Sequence, residues 1–323
     1  MVTGATGFVG KELVKKLNEK GHEIVVLTRN PETARFHLPI HCDIHFWNPE
    51  RYGIAPSTLK GVDAVINLAG EGIADGRWSP ERKRKLIQSR VLSVRRLIDA
   101  MTYMNHKPKV FVSASAIGFY GDRGEELLDE TSSKGKGFLS EVCQSWENET
   151  IKAKDLGIRT VACRIGMVLG HDGGALDKML PPFKLGVGGK LGSGSQWMSW
   201  IHINDLIGMM IHAIENPSID GIYNAVSPKS VRNSEFTKIL GQVLKRPTLF
   251  PVPKFILKIV LGELSELLLG SQRMSAKKIS EAGFEFKYPQ IKEALREVCG
   301  NSYHEIKLEQ WVPQPVNRTF SFF

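Results

Sequence analysis

Hydrophobic positions along the first half of the chain alternate between two periods. Short, nearly unbroken apolar runs at 23–28 ("EIVVLT"), 63–70 ("DAVINLAG"), 109–116 ("KVFVSASA") and 159–170 ("RTVACRIGMVLG") read as strands buried on both faces. A shorter candidate strand covers 44–47. Between these runs the apolar residues fall at helical spacing. Leu13, Val14 and Leu17 mark a helix over 10–20, a long helix runs from about 79 to 104, and another covers 138–156. Strand and helix in alternation specify an α/β architecture with right-handed crossovers, a Rossmann-type doubly wound parallel sheet.

After Gly170 the texture changes. Residues 171–200, "HDGGALDKMLPPFKLGVGGKLGSGSQWMSW", are rich in glycine and read as a long functional loop. Helical spacing returns at 203–215, 234–244, 254–269 and 291–298, with one strand at 221–226. The expected division is a nucleotide-binding domain over 1–170, to which 221–227 returns, and a smaller, mostly helical substrate lobe over 171–299. Residues 300–323 stand apart, ending on bare phenylalanines as if a further domain began there.

Composition changes this picture little. The 323 residues are 42% hydrophobic and 24% charged, as in a soluble globular protein, and no apolar run is long enough for a membrane span. The net charge is +9, and the densest basic run, 82–96, has Leu86, Val91, Val94 and Ile98 on one helical face. Without interleaved aromatics or a DNA-binding motif, it reads as a solvated helix rather than a nucleic-acid surface. The positive excess suits an anionic cofactor. Four widely spaced cysteines, with no CxxC pair, point to neither metal nor disulfides and fit a cytoplasmic location.

Chemistry begins at the first turn, "GATGFVG" (4–10). Gly4 permits a tight turn out of a strand, Gly7 lets the backbone approach a pyrophosphate, and Gly10 lets the helix pack close to the sheet. Thr6, Phe8 and Val9 lie in the same turn, where free N–H groups at a helix N-terminus meet phosphate. The second strand ends in Thr28-Arg29 and not in an acid. An arginine there favours a 2′-phosphate, so NADP(H) is expected over NAD(H). Leu68, Ala69 and Gly70 end the strand expected to lie beside the adenosine, and Arg90 is a second candidate contact to the cofactor.

These segments, together with "RWSPERKRKLIQSR", "SASAIGFYG", "RIGMVLG", "GIYNAVSP" and the glycine-rich stretch, occur in an order that resembles an atypical extended short-chain dehydrogenase/reductase. The resemblance is to the epimerase-like family that includes the SDR family 39U proteins. It covers about residues 1–298, and "SELLLGSQRMSAKKISEAGFEFKYPQIKEALREV" is similar to that family's small C-terminal domain. The resemblance implies NADP(H) binding through Gly4–Gly10, Thr28-Arg29, Leu68-Ala69 and Arg90, with Val168 at the nicotinamide end. It also implies a first strand about four residues longer than Met1-Val2. A shortened start is therefore expected, with unpaired backbone in the middle of the sheet. The tail "EIKLEQWVPQPVNRTFSFF" resembles the first strand and helix of a START-like ligand-binding domain, so a fused domain of that type is expected beyond 323.

Short-chain dehydrogenases use Tyr-x-x-x-Lys on the helix after the fifth strand, the lysine lowering the tyrosine pKa for proton transfer. Aligning Glu147 with the acid that follows this motif places Leu139 and Cys143 at the two positions. Neither can do that work. Tyr-x-x-x-Lys matches at 103/107, 288/292 and 303/307 fall in the wrong places. Ser115, which closes the fifth strand, and Tyr120 remain as catalytic candidates. Glu71, Lys178, Trp200 and His202 are candidates for a substrate pocket, with core packing the competing role for Trp200 and a structural role for His202. Asp205 is expected to cap the helix beginning near it.

Three functions are consistent with these residues: an NADP(H)-dependent oxidoreductase of unknown substrate, a non-catalytic NADP(H)-binding sensor or scaffold, and a sugar-nucleotide epimerase. The absent Tyr/Lys pair argues for the second and against the third.

Overall fold

The buried aliphatic runs form a seven-stranded parallel sheet. The structure, a computed structural model, describes residues 1–38 and 42–300. The strands are β1 (Val2–Thr3), β2 (Val25–Thr28), β3 (Asp43–Phe46), β4 (Ala64–Asn67), β5 (Val110–Ala116), β6 (Arg159–Ile165) and β7 (Gly221–Ala225). Their spatial order is β7-β6-β5-β4-β1-β2-β3, so strand order reverses beside β1, where ligands of doubly wound sheets bind.

Two helical layers cover the sheet. On one face lie α1 (Phe8–Glu19) and α6 (Ile203–Glu215), which bury Leu13, Val14 and Leu17 against Leu206, Met209 and Met210. The short α2 (Pro31–His37) follows β2 and adds Ala34 to the same core. On the other face lie α3 (Pro80–Thr102) and α4 (Phe138–Thr150), whose Val94, Leu97, Met101 and Trp146 pack with Phe111 of β5. Arg84, Lys85 and Arg95 of the basic run lie on the solvated side of α3, while Arg82 and Arg90 turn inward; Leu86, Val94 and Ile98 are buried as the spacing predicts, and Val91 is half-buried.

β1 contributes only two residues, yet the sheet is paired at its level. Val2 lies opposite Val26 and Ile66, and Thr3 opposite Leu27 and Asn67. The Met1 amine donates to the Ala64 carbonyl at 2.8 Å, and the Ile66 N–H donates to the Met1 carbonyl at 2.9 Å. At the level of Met1–Thr3 the neighbouring strands are therefore paired. Side chains reinforce the pairing: Thr3 Oγ1 donates to Asn67 Oδ1 at 2.7 Å, and Asn67 Nδ2 donates to Ser113 Oγ at 3.4 Å.

The glycine-rich segment is not one long loop. It opens with α5 (Gly174–Lys184), which contains Pro181 and Pro182. Two prolines cost helical hydrogen bonds, but Leu176 and Phe183 are both buried, and they join a lobe core with Trp200, Phe236 and Leu240. That core is completed by α7 (Asn233–Leu244) and the C-terminal helix Ile291–Gly300. The expected helix over 254–269 breaks at Gly262, where φ is +60°, and continues as a 3-10 turn and a short helix. The helix expected over 138–156 likewise tightens to 3-10 geometry at 151. The tail that resembles a START-like domain lies outside the described residues.

Candidate functional site

The turn after β1 is a cradle shaped by missing side chains. A Cβ on Gly4, at φ +70°, would lie 2.7 Å from the carbonyl carbon of Leu68. A Cβ on Gly10 would lie 2.1 Å from the Gly4 oxygen, so α1 approaches the turn only as glycine. Gly7 is the N-cap of α1 and supplies no side-chain acceptor to the helix's leading N–H groups. Such a helix start offers donors and a positive dipole end to an anion. Thr6 and Val9 are half-buried here. Phe8 turns outward onto a second glycine cluster: Cβ atoms on Gly170, Gly173 and Gly174 would each lie within 2.8 Å of its side chain. Sequence reasoning missed this packing, whose signal was the "GHDGG" spacing.

Three segments converge beside this turn. Arg29, just past β2, donates through Nη1 to Glu71 Oε1 at 3.0 Å. Glu71 follows β4 by four residues and also receives Arg82 Nη1 at 3.3 Å, from the first turn of α3. The end of β2 lacks an acid in sequence, but the fold brings one to Arg29 from a different strand. Burial pushes the Glu71 carboxyl up, but Arg29, Lys85 and Arg82 together outweigh it and hold it below the usual carboxylate range. Glu71 thus faces two guanidinium groups and serves as a counter-ion where a substrate contact was expected.

Arg90 is committed to the protein. It donates to the carbonyls of Leu86 and Glu71 at 3.0 Å each, and its guanidinium lies over the Trp146 ring. It also flanks Gly70, where an added Cβ would come within 3.3 Å of it. Leu68 and Ala69 are half-buried, and Leu68 backs onto Gly4. Thr28 accepts from the Asn30 N–H at 3.3 Å and so shapes the turn that carries Arg29. Val168 lies in the short strand Met167–Leu169, paired in parallel with Trp200–His202.

The catalytic candidates form one buried network. Ser115 donates to Glu147 Oε1 at 2.6 Å. Arg164 grips Glu147 through Nε and Nη2 at 2.8 and 2.7 Å, and its Nη1 donates to the Tyr120 hydroxyl at 2.7 Å. That hydroxyl donates to Asn224 Oδ1 at 2.8 Å. Tyr120 is fully buried, and burial pushes its pKa up to about 12, so it stays protonated. Held by Arg164 and Asn224 at full burial, the hydroxyl serves the interior network. Its catalytic candidacy is replaced by a structural role. Cys143, at the position of the family lysine, is buried. Burial first, and the nearby Glu147 second, push its thiol up to about 12.

Trp200 and His202 are likewise structural, which corrects their placement in a substrate pocket. Trp200 is 0% exposed and donates from its indole nitrogen to the Lys229 carbonyl at 2.9 Å. His202 is the N-cap of α6: its Nδ1 accepts from the Asn204 N–H at 3.1 Å, and its Nε2 meets Glu297 at 2.8 Å. Asp205, expected as that cap, instead accepts from the N–H groups of Lys287 and Tyr288 at 2.8 and 2.9 Å. Lys178 is exposed and paired with Asp75 at 3.1 Å, so it ties α5 to the loop after β4.

The donor set fits a dinucleotide. The turn excludes side chains where a pyrophosphate would need room, the helix start is uncapped, and Arg29, just past β2, is 62% exposed.

Comparison with known proteins agrees with this geometry. Residues 1–225 match the NAD dependent epimerase/dehydratase family, and residues 252–298 match a domain of unknown function, DUF1731. The chain is 42% identical to the chloroplastic epimerase family protein SDR39U1 homolog of Arabidopsis thaliana, covering 92% of this chain and 85% of that one. It is 37% identical to the epimerase family protein YfhF of Bacillus subtilis, covering 93% and 97%. Among solved structures, human epimerase family protein SDR39U1 with NADPH superposes with a TM-score of 0.83 at 32% identity, covering 93% and 98%. A nucleoside-diphosphate sugar epimerase from Corynebacterium glutamicum gives 0.74 at 34% identity, covering 93% of this chain and 57% of that one.

Proposed function

The chain belongs to the NAD dependent epimerase/dehydratase family, and from that premise we propose that it binds NADP(H) and acts as an oxidoreductase on a small molecule. The observation that carries this reading is the side-chain-free turn Gly4–Gly10 beneath an uncapped helix, with Arg29 at the end of β2. The relative solved with NADPH supports the choice of cofactor.

In this reading the Gly4–Gly10 turn, with Thr6, Phe8 and Val9, holds the pyrophosphate. Thr28 and Arg29 hold the 2′-phosphate end, and Leu68, Ala69 and Gly70 line the adenosine. Arg90 braces that wall, and Val168 stands at the nicotinamide end. When bound, the nicotinamide supplies a hydride donor or acceptor. The chain's own part is orientation, because it lacks the usual proton donor. Ser115 is buried and gives its proton to Glu147, so it offers no donor.

We divide the chain accordingly into a nucleotide-binding domain over 1–170, joined by 221–227, and a substrate lobe over 171–299. The free cysteines of the described residues fit a reducing, cytoplasmic setting, and among those residues no helix is long and apolar enough to cross a membrane.

A second reading, a non-catalytic NADP(H) sensor or scaffold, is favoured by Leu139 and the neutral Cys143 standing where Tyr and Lys would act. The same observation counts against a sugar-nucleotide epimerase. Melting curves with and without NADPH and NADP⁺, followed by NADPH oxidation against a panel of carbonyl compounds, separate these. A shift with turnover supports the oxidoreductase. A shift without turnover supports the sensor. No shift with either form of the cofactor overturns both.

A further inference from the structure

Glu71 holds two guanidinium groups from different elements, Arg29 beyond β2 and Arg82 on the first turn of α3. Arg82 is the more constrained. Its side chain is 18% exposed, its Nη2 donates to the Gly72 carbonyl at 2.6 Å, and its backbone N–H donates to Ser79 Oγ at 3.1 Å. Its buried Nε has no acceptor among the described residues. Arg29 is 62% exposed, whereas Glu71 is 16% exposed. One carboxylate thus aligns an exposed cation and a fixed one. Lys85, one turn along α3 from Arg82, adds to the same positive field.

A monoanionic carboxylate only partly neutralises this set. A phosphate monoester carries about −1.5 to −2 charge and three acceptor oxygens, enough to engage two guanidinium groups at once. Resting on the NADP(H) reading above, we propose that Arg82 is a second specificity-determining residue for the ribose 2′-phosphate. Glu71 is the counter-ion that keeps Arg29 and Arg82 together in the absence of ligand. Arg29 swings from the carboxylate to the phosphate, and Arg82 remains as the fixed half of the clamp. Discrimination for the 2′-phosphate then does not rest on Arg29 alone. The negative charge of Glu71 also opposes the phosphate, so part of the affinity is given up to hold the clamp assembled.

The test uses calorimetric titration of the full chain with 2′,5′-ADP, 5′-ADP and NADPH. Arg82→Leu is expected to weaken 2′,5′-ADP about tenfold or more, while 5′-ADP stays within about twofold. Glu71→Gln keeps the side chain's shape but removes its charge, and is expected to tighten 2′,5′-ADP several-fold without changing 5′-ADP. Equal binding of 2′,5′-ADP by Arg82→Leu and the parent overturns the clamp. Unchanged or weaker 2′,5′-ADP binding by Glu71→Gln overturns the opposition of its charge to the phosphate. Parallel loss of both nucleotides in Arg82→Leu would show a folding defect of the site. Arg82→Lys then decides, because it retains charge and helix propensity but cannot make the forked contact. Full 2′,5′-ADP affinity in Arg82→Lys overturns the proposal, and a selective loss sustains it. If the parent binds neither NADPH nor 2′,5′-ADP, the NADP(H) reading itself fails. If the parent binds both and the variants do not discriminate, only the clamp fails.

Discussion

Ser115 and Glu147 are joined by a 2.6 Å hydrogen bond in the interior, with the serine as donor. The bond commits the one hydroxyl that closes β5 to the carboxylate gripped by Arg164. Ser115→Ala is therefore expected to cost about 1.5–3 kcal/mol of stability and to leave NADPH affinity unchanged. Denaturant unfolding and NADPH titration check this. A large loss of affinity with normal stability would place Ser115 at the ligand instead.

Breaking the buried ion pair costs more. The Arg164 and Glu147 side chains are 3% and 6% exposed, and Glu147→Ala would leave the guanidinium without its partner. A loss of about 3–5 kcal/mol is expected, read as a fall in the denaturant midpoint. Arg164→Met, which removes the other charge while filling similar space, should also destabilise, because it strands Glu147.

Gly10→Ala tests the phosphate turn. Its Cβ would meet the Gly4 oxygen at 2.1 Å, and that oxygen belongs to backbone and cannot swing aside. Relieving the clash means moving α1 away from the turn. Destabilisation of about 1–3 kcal/mol is expected, together with loss of the thermal shift given by NADPH. An unaltered shift would show that α1 does not form the phosphate site.

Arg29→Ala should lower the ratio of NADPH to NADH affinity by about tenfold or more, the equivalent of a charge-assisted hydrogen bond of about 1.5–3 kcal/mol. Titration with both cofactors decides it. An unchanged ratio removes Arg29 from the account of cofactor choice.

His202 makes stability depend on pH. Burial holds its pKa below the ordinary 6.5, although Glu297 and Asp205 pull the other way. The unfolded chain therefore takes up this proton first as pH falls, and stability declines below about pH 6.5. Protonation of Nδ1 would break the hydrogen bond that this atom accepts from the Asn204 N–H. Melting temperatures between pH 7.5 and 5.5 should fall for the parent and fall less for His202→Asn, which keeps a capping side chain but has no proton to gain. Equal slopes for the two proteins would remove His202 as the cause.

The sheet was legible because its signal is dense. The strands β2, β4, β5 and β6 carry branched aliphatics in short runs, and burial on both faces makes such runs clear, whereas the edge strand β3 (Asp43–Phe46) is alternating and largely exposed. The glycine turn was legible from its context: Gly4, Gly7 and Gly10 fall between a strand start and a helix, with a second strand ending at Thr28. Helix α5 was hidden because glycine and Pro-Pro are local breakers, whereas Leu176 and Phe183 hold it through packing with α7, which lies far off in sequence. Tyr120, Trp200 and His202 looked functional as residue types. Their partners Arg164, Lys229 and Glu297 stand 44, 29 and 95 positions away, beyond the reach of any local pattern. The Glu71 carboxylate escaped as a partner of Arg29 for the same reason, at a separation of 42.

Phe8 and the glycines at 170, 173 and 174 carry a consequence for how this chain can change over generations. The ring fills the space that three separate Cβ atoms would otherwise occupy. At 174 the backbone itself, at φ +72°, disfavours any side chain, so this position stays glycine whatever residue stands at 8. At 170 an added side chain would meet Ile203 as well as Phe8, so both would have to give way. The nucleotide turn is therefore tied to the start of α5 by glycines that a change at position 8 alone does not release.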